Sequence, residues 1–138
     1  MSTRSGGCMC GAVRFEAEVG DRASLCFCKM CQRWSGGAFA AASAKRFEVV
    51  HGAQDVTTRR TSDWAERSFC SKCGSVLTYK GDDFEEMGVS LGALDDTDGL
   101  DVRIQFFTDK KPDGLPLAQG AKALTEAEII KMYGEVNG

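Results

Sequence analysis

Cys8-Met9-Cys10-Gly11, Cys26-Phe27-Cys28-Lys29-Met30-Cys31 and Cys70-Ser71-Lys72-Cys73-Gly74 are the stretches on which the reading of this chain turns. All seven cysteines of its 138 residues fall within them. Thiols that serve as small core hydrophobes scatter along a sequence. Thiols two or three positions apart, set on turns, converge on one soft cation. An odd number also leaves one thiol over in any fully paired disulfide framework. Cysteines two apart, as Cys8 and Cys10 are, bridge only with strain.

Seven divides into four and three. Cys26, Cys28 and Cys31 span six positions and form a tridentate unit by themselves. The outer pairs, each followed directly by glycine (Gly11 or Gly74), close a four-thiolate site from distant parts of the chain. Glycine there permits the left-handed backbone that turns amides toward thiolate sulfur. Four cysteines saturate a tetrahedral zinc and make it structural, whereas three leave a position for water or substrate.

Composition bounds the rest. The net charge of −3 leaves no nucleic-acid footprint. The longest apolar run, 38–42, is far too short to span a bilayer. Only a few residues precede Gly6-Gly7-Cys8, so no export segment is expected, and a reducing cytoplasm fits the cysteine usage. Sixteen glycines against two prolines suit a turn-rich β protein.

Along the chain, Val13, Phe15, Ala17 and Val19 alternate with Arg14, Glu16 and Glu18, which predicts a half-buried strand over 11–19. A short helix is expected over 28–35, stopped by Gly36-Gly37. Further strands are expected at 38–43, 46–50, 56–61, 65–69, 75–80, 86–91 and 102–108. Thr125-Glu126-Ala127-Glu128 reads as a capping box, with Leu124 and Ile129 as a hydrophobic staple, opening a helix from Glu126 to about Tyr133. The stretch 109–123 reads as a loop. The expected fold is mainly β with one internal and one C-terminal helix: a zinc-binding domain over 1–112, and 113–138 packed on it.

Three motifs taken together, Gly7-Cys8-Met9-Cys10-Gly11-Ala12-Val13-Arg14-Phe15, Cys26-Phe27-Cys28-Lys29-Met30-Cys31-Gln32-Arg33 and Phe69-Cys70-Ser71-Lys72-Cys73-Gly74-Ser75-Val76-Leu77, make the chain resemble the glutathione-dependent formaldehyde-activating family. Leu91-Gly92-Ala93-Leu94-Asp95-Asp96 adds a fourth point of likeness, and the whole covers about residues 6–108. The resemblance implies a β-tent fold of small antiparallel sheets, like that of methionine sulfoxide reductase B. It implies two zinc ions: a structural one on Cys8, Cys10, Cys70 and Cys73, and a catalytic one on Cys26, Cys28 and Cys31. It implies a carbon–sulfur lyase whose partners are a small thiol, glutathione, and a small aldehyde, formaldehyde. Two positions depart from the family: Phe27 stands where members commonly carry histidine, and Gln105 stands near the place of another.

Other residues carry weaker signals. His51, the one histidine, falls in a turn and reads as solvated. Lys29 and Arg33 can meet substrate carboxylates or simply offset thiolate charge. Trp34 and Phe39 can wall a pocket or fill core. The Asp95–Asp98 run lacks calcium-loop spacing and reads as a solvated turn. Two rival readings of the trio remain, a second structural zinc with a non-cysteine ligand and a metal-free redox cluster. A non-enzymatic zinc-stapled β scaffold is the alternative for the protein as a whole.

Overall fold

A computed structural model describes residues 1–134 of the chain. The polypeptide divides into two compact units, Met1–Asp21 with Ala41–Leu100, and Arg22–Ala40 with Asp101–Gly138.

The first unit is a sheet packed around an apolar core. Strand β1 (Ser2–Gly7) lies antiparallel on β2 (Arg14–Cys26), in register from Ser2 opposite Val19 to Gly7 opposite Arg14. The alternation expected of this region holds: Val13, Phe15, Ala17 and Val19 are fully buried. Next come β3 (Phe39–His51), β4 (Val56–Ser62), β5 (Ala65–Cys70), β6 (Val76–Gly81) and β7 (Met87–Ser90). Their spatial order is β4-β5-β6-β7-β3-β2, with β1 on β2. Leu77, Val89, Leu94 and Cys70 join the β2 residues in the core. The Phe47 ring packs on Phe15 with centroids 4.7 Å apart.

In the second unit the pairing is parallel. Arg22–Cys26, the end of β2, runs beside β8 (Asp101–Phe106), and β8 beside the three-residue β9 (Lys122–Leu124). Helix α1 (Lys29–Ser35) starts two residues after β2 ends, and left-handed Gly36 (φ 94°) stops it by donating to Gln32 O at 2.7 Å. Helix α2 (Glu126–Tyr133) carries the expected capping box: Thr125 accepts from the Glu128 amide, and Glu128 accepts from the Thr125 amide at 3.1 Å. Leu124 and Ile129, the staple pair, are both buried. Asp109 and Lys110 fasten the start of α2, through the Glu126 amide and the Glu126 carboxylate respectively.

The mainly β class with two α-helices is as expected, and four details differ. The strand expected over 11–19 begins at Arg14 and runs on to Cys26, because its far end exchanges β1 for β8 as partner. The two strands expected at 38–43 and 46–50 are one, β3: polar Lys45 and Arg46 are exposed without breaking the backbone course. Strands β1 and β9 were not expected, β9 starting at the end of the stretch read as loop. The pairings of β8 with β2 and β9 are parallel, whereas those of β1 with β2, β3 with β7, and β4 through β7 are antiparallel.

Candidate metal centres

The structure gathers the cysteines into two groups, Cys8 with Cys10, Cys70 and Cys73 in the first unit, and Cys26 with Cys28 and Cys31 in the second. Within each group the sulfurs all lie within 4.8 Å of one another, so each can hold a metal ion.

The group of four is built from two turns of like design. After β1, the Cys8 amide donates to Val13 O (3.1 Å) and Gly11 N to Cys8 O (3.2 Å). After β5, the Cys70 amide donates to Ser75 O (2.9 Å) and Gly74 N to Cys70 O (2.8 Å). Gly11 and Gly74 sit at φ 81° and 80°, the left-handed region that a side chain at either position would strain. The Val13 amide also donates to Cys8 Sγ at 3.3 Å. Ser75 links the two turns: its Oγ accepts from the Met9 amide at 2.9 Å and lies 3.1 Å from Cys73 Sγ. Sequence reading missed Ser75, although its place just after the cysteine-glycine pair was the available signal.

Sulfur spacing and acidity both favour a cation among these four. Cys8 Sγ lies 3.6 Å from Cys10 Sγ, which lies 4.0 Å from Cys70 Sγ. The Ser75 hydroxyl and amide, with the Cys10 backbone, draw the Cys73 thiol down to about 5. Burial pushes Cys8 up, but the Val13 amide and the Cys10 and Cys70 thiols bring it below its ordinary value. The Ala12 amide pulls Cys10 down, yet Cys8, burial and Cys73 carry it up to about 11. Thiols this crowded cannot all ionise without a positive ion between them.

The group of three draws on three kinds of backbone. Cys26 ends β2, Cys28 is the N-cap of α1, and Cys31 is the third helical residue. Cys28 Sγ accepts the Cys31 amide at 3.3 Å, as a capping serine oxygen would. Cys28 and then Cys31 at close range, together with burial, push the Cys26 thiol well up, so this group too lacks a counter-charge of its own. Between Arg22 and Ala40 the chain has three cations, Arg22, Lys29 and Arg33, and no acid. Lys29 and Arg33 are exposed, one helical turn apart on α1.

Both family-departing residues serve structure here. Phe27 is 2% exposed, and its amide donates to Phe106 O at 2.9 Å. Gln105, 1% exposed, exchanges two hydrogen bonds with the Ala118 backbone, at 2.8 and 3.1 Å. Gln32 Nε2 donates to Phe27 O (2.6 Å) and Lys110 O (2.8 Å). Of the weaker candidates, His51 is exposed at the end of β3, and the Trp34 and Phe39 rings pack against each other, tilted by 47° with centroids 4.8 Å apart. The acidic turn is occupied as a turn. Asp95 pairs with Arg14, Asp96 Oδ1 accepts the Asp98 amide, and Arg4 donates to the backbone oxygens of Asp96 and Asp98. A cavity of about 440 Å³ lies in the first unit against Cys8, Arg14, Ser75, Ser90 and Asp95.

The structure is thus a mainly β protein whose sulfur groups of four and three could each hold a metal ion. The chain belongs to the glutathione-dependent formaldehyde-activating enzyme family, whose sequence profile matches residues 3–110. It is similar to an uncharacterized lyase of Schizosaccharomyces pombe, with 26% identity over 133 residues, covering 95% of this chain and 97% of that one. It is 28% identical over 120 residues (78% of this chain, 76% of the other) to a Halomonas elongata protein named as a glutathione-dependent formaldehyde-activating enzyme. The crystal structure of a Rhodobacter sphaeroides protein, 32% identical, matches with a TM-score of 0.57 over 66% of this chain and 87% of that one. Family and relatives thus indicate a lyase or formaldehyde-activating enzyme. No helix among the described residues is long and apolar enough to cross a membrane.

Proposed function

We propose that the protein is a zinc-dependent carbon–sulfur lyase that joins a thiol such as glutathione to a small aldehyde such as formaldehyde at Cys26, Cys28 and Cys31. A second zinc, on Cys8, Cys10, Cys70 and Cys73, would be structural. The observation that carries this reading is the inequality of the two donor sets, four sulfurs against three. Zinc–sulfur bonds of roughly 2.3 Å in a tetrahedron set sulfurs about 3.8 Å apart. The 3.6 and 4.0 Å spacings in the group of four fall on either side of that value. Soft thiolates without oxygen ligands favour zinc over magnesium or calcium. Seven cysteines outside any disulfide also suit a reducing compartment such as the cytoplasm.

The reaction balances without an oxidant. The thiol sulfur forms a C–S bond to the carbonyl carbon, the C=O π bond opens, and the thiol proton ends on the oxygen. Formaldehyde and glutathione give S-hydroxymethylglutathione. A bound zinc with three protein ligands supplies Lewis acidity at an open position. The chain supplies the rest: the Cys28–Cys31 capping turn fixes two sulfurs, the end of β2 fixes the third, and Lys29 and Arg33 offer positive charge to substrate carboxylates.

One observation favours the scaffold reading instead. Phe27 and Gln105, where the family resemblance leads one to look for histidine, are both buried in structural roles and leave no conventional base there. A single experiment separates the two readings. Loss of free thiol is followed when glutathione and formaldehyde are mixed with the parent protein or with Cys31→Ser, alongside the zinc content of each. The lyase reading expects two zinc ions per parent chain, acceleration over background, and loss of both the acceleration and one zinc in the variant. No acceleration by a two-zinc parent refutes glutathione and formaldehyde as the substrate pair and favours the scaffold.

A further inference from the structure

The peptide between the first two sulfurs of the trio is held with unusual completeness for a loop. Cys26-Phe27-Cys28 has only Phe27 between its ligands, so the orientation of that residue's backbone sets where both neighbouring sulfurs point. Its N–H is taken by Phe106 O at 2.9 Å, and Cys26 stands opposite Phe106 in the parallel β2–β8 ladder. Its ring is 2% exposed. Its carbonyl is taken by a side chain, the carboxamide of Gln32, at 2.6 Å. The second hydrogen of the same NH₂ group goes to Lys110 O at 2.8 Å, 78 positions away.

Gln32 is itself tied to the trio, because its backbone amide donates to Cys28 O at 2.9 Å. Thus one residue closes the Cys28–Cys31 helical turn through its backbone and fixes the Phe27–Cys28 peptide through its side chain. The far anchor is rigid for a further reason. Lys110 ends a short 3-10 turn at Thr108–Lys110, which is entered through Phe107 at φ 56°. Phe107 is the one non-glycine residue of positive φ among those described. A bulky residue held in the left-handed region marks backbone that its surroundings over-determine.

We infer that Gln32 is a positioning residue for the Cys26–Cys28–Cys31 centre, setting the spread of its three sulfurs by clamping the Phe27 carbonyl to the Lys110 carbonyl. The chemistry singles out glutamine. Both partners are carbonyl oxygens that can only accept, so the group between them must donate twice from one atom. Glutamate has nearly the same shape and offers no donor when ionised; it would set a carboxylate against two carbonyl oxygens. Alanine removes the clamp without that repulsion. Outer-shell groups of this sort orient metal ligands, and their loss weakens metal binding about ten- to a hundred-fold. The inference rests on the reading that the trio holds the second metal, and it assigns Gln32 no contact with substrate.

The test compares the parent with Gln32→Glu and Gln32→Ala, loaded with zinc and, in parallel, with cobalt. Chelator competition should show the more weakly held equivalent leaving about ten- to a hundred-fold more readily in both variants, Gln32→Glu being the worse. The tighter equivalent should be unchanged. The visible spectrum of cobalt in the weaker site should shift, and amide exchange at Phe27 and Cys31 should quicken while the amides of β5 and β6 hold. A variant that loosens both metals alike, or lowers the melting temperature with no selective effect on the weaker site, would make Gln32 merely structural. A Gln32→Glu protein that keeps parent affinity and spectrum overturns the inference outright. Should the parent hold one metal only, the functional reading fails by itself. The clamp is then judged from exchange at Phe27 and Cys31 alone, where parent-like protection in Gln32→Glu refutes it.

Discussion

Replacing Cys70 by serine is the sharpest probe of the four-sulfur centre, because Cys70 is fully buried and belongs to both the metal group and the apolar core. Its sulfur faces that of Cys10 across 60 positions of sequence. Treated as a covalent tie, a cross-link closing about 60 residues removes on the order of 4 kcal/mol of chain entropy from the unfolded state. A serine hydroxyl left unpaired in an apolar site costs about 1–3 kcal/mol more. Together that is about 5–7 kcal/mol, against a total of roughly 7–20 kcal/mol expected for a chain of this length. At about 3–4 °C per kcal/mol, the melting temperature should fall by about 15–28 °C, enough for the variant to unfold or aggregate near physiological temperature. Thermal denaturation followed by circular dichroism, with metal content measured on the same samples, reads both effects. Cys31→Ser is the control: it should keep the four-sulfur metal and melt within several degrees of the parent. A Cys70→Ser protein that melts beside the parent with its metals in place, or a Cys31→Ser protein that collapses equally, would refute the division of labour between the two centres.

Four further outcomes are expected. A Cβ at Gly52 would lie 1.8 Å from Ala12 O with φ at 80°, so Gly52→Ala should cost at least about 2 kcal/mol in urea unfolding. Gly92→Ala, with nothing within 4 Å and no positive φ, should stay within about 0.5 kcal/mol of the parent. The Arg14 guanidinium holds the Asp95 carboxyl below the usual carboxylate range, so this pair stabilises the fold fully above about pH 4 and loses that effect as pH falls through the lowered folded value. The gap in unfolding midpoint between parent and Asp95→Asn should therefore be constant from pH 5 to 7 and close on acidification; a gap that widens contradicts the pairing. Gln105→Leu orphans the amide and carbonyl of Ala118, and should cost about 2–3 kcal/mol while exposing the 111–121 segment to protease. Unchanged proteolysis there would show that something else secures the segment.

What could be read in the sequence was what is local. The capping box at Thr125 and the staple of Leu124 with Ile129 lie within six positions, and the helix follows from them alone. The cysteine groups were legible for the same reason, since ligand spacing, the glycine after each outer pair and the helix opened by Cys28 are all short-range. The missed strands were non-local. Ser2–Gly7 has no apolar alternation; it is a strand because its backbone pairs with β2, and its two glycines allow the close approach. A Cβ at Gly6 would meet Phe15 Cζ at 2.5 Å and Ala93 O at 2.4 Å. β9 exists only through β8, with three residues too few to signal themselves. The break expected at 44–45 is absent, because an exposed charged side chain such as Lys45 ends burial, not pairing: Ala41–Ala44 match Ser90–Met87 while the strand continues past them.

The same distinction explains how the second centre is built. Its three sulfurs come from six consecutive positions, so their grouping needs no tertiary structure, yet their aim does. Cys26 takes its direction from parallel pairing with Phe106, and the Phe27 carbonyl takes its own from a glutamine anchored on Lys110. The group of four is the reverse case. Each turn is self-sufficient in its backbone hydrogen bonds, while bringing Cys10 to Cys70 requires the folded first unit. A metal in the group of four therefore stabilises the fold that creates the site, whereas the trio depends on a fold made elsewhere. That asymmetry is why loss of a ligand should unfold the protein at one centre and leave the fold standing at the other.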